Sequence, residues 1–136
     1  MCKVLKIAVF LLVFASLACN RSEAQTAQPA GAAVYQRISA SEANRMMQEL
    51  TDFILLDVRT EGEFRRRRIE GAILIPDTEI QRRAVRELPD KSRVILVYCQ
   101  GGVRSERAAR ALINMGYLNV FDFGGIASWP YETVSN

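Results

Sequence analysis

Val94-Ile95-Leu96-Val97-Tyr98-Cys99-Gln100-Gly101-Gly102-Val103-Arg104-Ser105 is the stretch on which the reading of this chain turns. Val94 to Tyr98 is a short, unbroken apolar run, the pattern of a strand buried on both faces of a parallel sheet. It leads straight into Cys99 and two adjacent glycines. From Ser105 to Met115, Ala108, Ala111, Leu112 and Met115 share one helical face, with Gly116 as the stop. A cysteine therefore stands at the C-terminal end of a strand, just ahead of a helix. Ligand sites of open α/β sheets gather at that edge.

The same alternation extends upstream and downstream. Ser39 to Leu50 opens with Ser39-x-x-Glu42, a capping-box pattern, and carries Ala43, Met46, Met47 and Leu50 at helical spacing. The methionine pair reads as core filling. Phe53 to Val58 is a second buried-strand run, ending in the charged pair Asp57 and Arg59. Ala72 to Ile75 is a short strand stopped by Pro76. Asp77 to Leu88 is a helix with Ile80, Ala84, Val85 and Leu88 on one side, ended by Pro89. Asn119 to Phe123 is a last strand, before Gly124-Gly125 and Trp129-Pro130. Strands alternating with helices predict one α/β domain over residues 34–136, with a mainly parallel central sheet flanked by helices on both faces.

Composition narrows the chemistry. Of 136 residues, 49% are hydrophobic, enough for a packed core. The net charge is +3; without Lys3 and Lys6 it falls to 16 basic against 15 acidic residues, which gives no reason to expect nucleic-acid binding. There is no histidine. Imidazole zinc sites and Ser-His or Cys-His pairs are thereby excluded, and neither metal nor cofactor is expected.

Cys99 must then be activated without a basic partner. The glycines let the backbone curl so that successive N–H groups turn inward at a helix N-terminus, a nest that attracts anions. Arg104 adds a permanent positive charge. Together these favour thiolate over thiol and suit an oxyanion, a persulfide or a doubly charged sulfur anion. The competing reading is a small buried residue after an apolar strand; the Cys-x-x-Gly-x-Arg spacing ahead of a helix favours chemistry.

Val97-Tyr98-Cys99-Gln100-Gly101-Gly102-Val103-Arg104-Ser105 resembles the active-site loop of the rhodanese family. The resemblance continues through Ala108-Ala109-x-x-Leu112, Gly116-Tyr117-x-Asn119-Val120 and Gly124-Gly125-Ile126-x-x-Trp129. Upstream it takes in Leu55-Leu56-Asp57-Val58-Arg59, Glu61-x-Glu63-Phe64 and Ile69-x-Gly71-Ala72-x-x-Ile75-Pro76. It implies a single rhodanese-like domain and sulfur transfer. Cys99 would take sulfur from a small sulfur-containing anion such as thiosulfate and pass it, as a persulfide, to a thiol, a protein thiol or cyanide. Gln100, Gly101, Gly102, Val103 and Arg104 would cradle that sulfur, Arg104 orienting the anion. Ser105 would cap the following helix and touch the loop. Asp57 and Arg59 have two readings, support for the loop or a structural ion pair. Where many family members have Gly-His, this chain has Arg67-Arg68, within the run Arg65 to Arg68. That run is either a solvated face or a docking patch for an acidic partner or anionic lipid.

Two other functions compete. A phosphatase or arsenate reductase of the related type also uses a cysteine and an arginine-bearing loop, but with five residues between them; here four intervene, Gln100 to Val103. A non-catalytic or slow sulfur-carrier module is the other, against which stands the retention of Cys99 and Arg104.

The first residues read as an address. Lys3 and Lys6 precede an eleven-residue apolar run, Ile7 to Leu17, too short to span a bilayer and of signal-peptide length. Ser16-Leu17-Ala18-Cys19 resembles a bacterial lipobox, which implies a signal peptide over 1–18, an acylated Cys19 and a small, polar tether over 19–33. An ordinary signal peptide or an uncleaved anchor are the alternatives. The expected location is the bacterial cell envelope, facing the periplasm and held to the membrane by lipid, or else soluble periplasmic. Changing Cys19→Ala should release the protein from the membrane fraction; continued retention would contradict the lipid anchor.

Overall fold

The computed structural model describes residues 33–135, so the expected signal segment, Cys19 and nearly all of the tether lie outside the described residues. The strands are β1 (Val34–Arg37), β2 (Phe53–Asp57), β3 (Ile73–Leu74), β4 (Val94–Cys99) and β5 (Asn119–Gly125). They form one sheet in the order β1-β5-β4-β2-β3, every neighbouring pair parallel. The helices are α1 (Ala40–Glu49), α2 (Glu61–Arg66), α3 (Ile80–Glu87) and α4 (Val103–Asn114), with short 3-10 turns at Asp77–Glu79 and Ile126–Ser128. The α/β class with a parallel sheet is as expected.

Alternation along the central strands divides the core in two. Ile54, Leu56 and Val58 point to one face with Ile95, Val97 and Cys99, against Ala84 and Leu88 of the α3 side and Ala108 and Leu112 of α4. Leu55, Leu96, Tyr98 and Phe123 point to the other, where Ala43, Met46, Met47 and Trp129 cover them. Both faces being covered, the central strands β2 and β4 read as near-continuous apolar runs. Cys99 ends the row facing α4, and its location at the sheet's C-terminal edge follows from that register.

Several local expectations change. Strand β1 was not read from the sequence: four residues at the edge, with one neighbour, carry no clear period. Helix α2 also escaped the periodicity. It buries none of its residues and is held at its start by a full capping box between Thr60 and Glu63. At α1, Ser39 Oγ accepts the Glu42 amide at 3.1 Å, but the Glu42 carboxylate turns to Arg45, so that box is only half made. The segment expected as one helix from Asp77 opens as a 3-10 turn and becomes α-helical at Ile80. Val85 is 58% exposed, a correction to its place on the core side. Ile80, Ala84 and Leu88 make that face alone, and Val85 lies one step around the helix from it.

The change with chemical consequence is at α4, which begins at Val103. Ser105 therefore sits inside the first turn and does not cap the helix. Gly102 occupies the capping position, with no side chain to accept the first-turn amides. Those N–H groups, without partners in the helix itself, are free to meet another acceptor.

Candidate active site

Cys99 ends β4 with 1% of its surface exposed. The amide of Gly102 donates to its Sγ at 3.0 Å. Gly102 has a left-handed backbone, φ +104°, which a side chain would strain. This conformation curls the loop back so that an amide three residues on meets the sulfur. Gly101 needs no such freedom: it lies outside the left-handed region and has open space around it.

Electrostatics decide whether the sulfur is thiol or thiolate. Burial, the largest influence, pushes the Cys99 pKa up. Hydrogen bonds from the backbone and hydroxyl of Ser105 and from the amides of Gly102 and Gly101 push it down, and the net direction is down. The Ser105 hydroxyl has one proton and lies 2.9 Å from the Gly102 carbonyl and 3.1 Å from that of Gly124. The amides are thus the dependable donors to sulfur.

The floor of the loop is shaped by an irregularity between β4 and β5. The register steps from Val97↔Asp122 to Cys99↔Gly125, so β5 carries one residue more than β4 there. The Gly124 amide folds back onto Asp122 Oδ1 at 2.9 Å. Gly125 is then pressed beneath the loop. A Cβ there would lie 2.3 Å from the Gln100 carbonyl oxygen and 2.7 Å from the Gly101 Cα, both backbone atoms. The Gln100 carbonyl also accepts the Ala127 amide at 3.2 Å.

The remaining expected residues take distinct places. Gln100, Gly101 and Val103 form an exposed rim, Val103 at 77%. Ser105 is wholly buried behind the loop. Arg104 does not stand free over the sulfur: its Nη1 and Nη2 both donate to Glu63, each at 2.8 Å. Thr60 donates its backbone N–H and its hydroxyl to the same carboxylate, at 3.0 and 2.8 Å. The Arg104 guanidinium foremost, then Thr60, outweigh burial and hold the Glu63 carboxyl far below the usual range. Arg104 is within Coulomb reach of Cys99, but its charge is largely offset by Glu63.

Asp57 and Arg59 combine an ion pair with a contact to the loop. They form a buried ion pair, Nη2 to Oδ2 at 2.7 Å, with side chains 0% and 2% exposed. Arg59 Nη1 also reaches Gln100 Oε1 at 3.4 Å, and its Nη2 donates to the Arg67 carbonyl. The pair therefore joins the loop to the segment after α2. The arginine run divides between the end of α2 and that segment. Arg65 pairs with Glu61 at 3.0 Å on an exposed face. Arg67 instead donates to Thr133 Oγ1 and to the Ile126 carbonyl, and the Arg68 backbone bridges to Val134. Arg67, though exposed, and the Arg68 backbone are thus tied to the chain's last residues, while Arg65 lies on a solvated face.

Sequence reading gave Glu63 no role at the site, although Thr60-x-x-Glu63 has the capping-box pattern that places it. It also missed Arg37 and Asp122, paired at 2.7 Å beside the loop from positions 85 residues apart, which no local spacing links.

Residues 39–131 match the rhodanese-like domain family. The chain is 37% identical over 71 residues to the thiosulfate sulfurtransferase PspE of Escherichia coli, covering 52% of this chain and 68% of that protein. It is 29% identical over 97 residues to the thiosulfate sulfurtransferase GlpE of Coxiella burnetii, covering 71% and 88%. Among solved structures, an E. coli rhodanese with anions superposes with a TM-score of 0.57 at 32% identity, over 61% of this chain and 98% of that one.

Two outcomes follow from the geometry. Cys99 alkylation by iodoacetamide should rise with pH through a midpoint below the ordinary thiol value of about 8.5, because the thiolate reacts and the loop favours it. A midpoint at or above that value would mean that burial outweighs the amides. Gly125→Ala should push the Gln100–Gly101 backbone aside, lowering stability by about 1–3 kcal/mol in urea unfolding and slowing the alkylation.

Proposed function

The chain belongs to the rhodanese-like domain family and is a transferase of that kind, and we propose that it moves sulfane sulfur from thiosulfate to a thiol through a persulfide on Cys99. The Gly102 amide 3.0 Å from Sγ is the observation that carries this reading. It favours the thiolate over the thiol without any histidine.

The Cys99 thiolate attacks the outer sulfur of thiosulfate. The new Sγ–S bond forms as the S–S bond of the donor breaks, and sulfite leaves with the electron pair. Negative charge passes to the terminal sulfur of the persulfide. The amides that favoured the thiolate, those of Gly101, Gly102 and Ser105, lie where they can offset this charge as well. A second nucleophile, cyanide or a thiolate, then attacks the terminal sulfur. The Cys99 thiolate departs and the enzyme is restored. Sulfur is held covalently between two half-reactions, so ping-pong kinetics are expected.

The loop favours sulfur over phosphate. Only Gln100, Gly101, Gly102 and Val103 separate Cys99 from Arg104, and the arginine that would clasp a tetrahedral oxyanion is held by Glu63 at both Nη atoms. In this reading Arg104 and Glu63 brace the loop, and the donor's sulfur enters past the exposed rim. A second reading, a slow sulfur carrier, is favoured by one observation: Cys99 is 1% exposed, so turnover requires the rim to part. The acylated Cys19 and envelope location are part of the proposal.

Cys99→Ser should abolish thiosulfate:cyanide transfer. Intact-mass measurement after thiosulfate treatment should find one added sulfur on the wild type and none on the variant. Sulfur on another residue, or on none, would overturn the mechanism. Rapid uptake with slow discharge to thiols would select the carrier reading.

A further inference from the structure

We infer that the Arg37–Asp122 ion pair is a clamp that positions the Cys99 loop, with Arg37 the residue that keeps the Gly102 amide aimed at the sulfur. Asp122 is wholly buried on β5, and both of its oxygens are engaged. Oδ1 accepts the Gly124 amide at 2.9 Å, and Oδ2 accepts Arg37 Nη1 at 2.7 Å and the Tyr35 hydroxyl at 3.0 Å. Arg37 ends the edge strand β1, and this grip on Oδ2 directs its guanidinium across to the loop.

There it occupies the room that two missing side chains would fill. Its Nη2 lies 2.9 Å from where a Cβ on Gly102 would stand and 2.8 Å from where one on Gly124 would stand. Both glycines are left-handed, at φ +104° and +87°, and they face each other closely: the Gly102 Cβ position is 3.6 Å from the Gly124 Cα. The carbonyls of the same two glycines share the Ser105 hydroxyl. Arg37 thus packs against the Gly102–Gly124 contact, and the Ser105 hydroxyl lies within hydrogen-bond reach of both carbonyls. Left-handed glycine is allowed but not compelled, and glycine loses more freedom on ordering than any other residue. Two such residues under a reactive sulfur need an outside restraint, and a planar guanidinium anchored on a buried carboxylate supplies one. A lysine could neutralise Asp122, but a single ammonium on a flexible stem cannot both hold Oδ2 and fill the space beside two glycines.

This inference rests on Cys99 being the reactive thiol of the proposed transfer. Its test uses alkylation, which needs no sulfur donor. Arg37→Lys keeps the countercharge of Asp122, so it should fold, and it should raise the midpoint of the Cys99 alkylation profile by about half a unit or more. At a pH below both midpoints, that slows alkylation roughly threefold or more. Tyr35→Phe removes a bond to the same Asp122 oxygen but nothing over the glycines, so it should shift the midpoint less than Arg37→Lys does. Arg37→Ala, if it folds, should shift the midpoint at least as far as the lysine variant; if it does not fold, the lysine variant decides. An unmoved midpoint in Arg37→Lys, or equal shifts in Arg37→Lys and Tyr35→Phe, would overturn the clamp. An unmoved midpoint in a protein that still takes up sulfur removes the clamp and leaves transfer standing. A raised midpoint in Arg37→Lys, where the wild type takes up no sulfur, keeps the clamp and removes the transfer.

Discussion

The amide of Gly102, 3.0 Å from Cys99 Sγ, is the contact on which the proposed chemistry of this domain depends. A sulfur at the end of an apolar strand would ordinarily remain a thiol, because burial penalises charge. Here the chain turns back at once, and α4 starts with its first-turn amides unclaimed by any side-chain cap. In the proposed transfer, dipoles of the backbone take the part that an imidazole takes elsewhere.

That arrangement is held from outside by paired charges. Arg104 is bound to Glu63, Arg59 to Asp57 and Arg37 to Asp122. Each arginine comes near the loop or belongs to it, and each is offset by a carboxylate on a different part of the frame: α2, the end of β2, and β5. Only the Arg59–Asp57 pair is fully buried, and a buried ion pair is weak evidence for stability, since desolvation costs much of what attraction supplies. The value of the three pairs in the proposed site is geometric, because they set guanidinium groups from three parts of the frame beside the loop. The close approach of Gly125 beneath Gln100 completes the frame by sterics alone.

Much of this was legible from the residues. Doubly buried strands announce themselves as apolar runs, so β2 and β4, and with them the position of Cys99, could be read directly. The loop residues and the Asp57–Arg59 pair were equally visible, being close in sequence. What stayed hidden had a common cause. Helix α2 and strand β1 bury too little to leave a period, and they carry Glu63 and Arg37, whose partners Arg104 and Asp122 are distant in sequence. Arg104 was read as a free cation because its carboxylate partner was out of sight. Ser105 was read as a cap because serine favours that place; yet Gly102, which tolerates the left-handed turn, took it.

The central claim is that backbone amides hold first a thiolate and then a persulfide on Cys99. A crystal structure of the thiosulfate-treated protein tests it most directly. The account predicts density for one further sulfur bonded to Cys99 Sγ, ringed by the amides of Gly101, Gly102 and Ser105, with Arg104 still bound to Glu63. An unmodified Sγ, with intact thiosulfate held by an Arg104 released from Glu63, would contradict it.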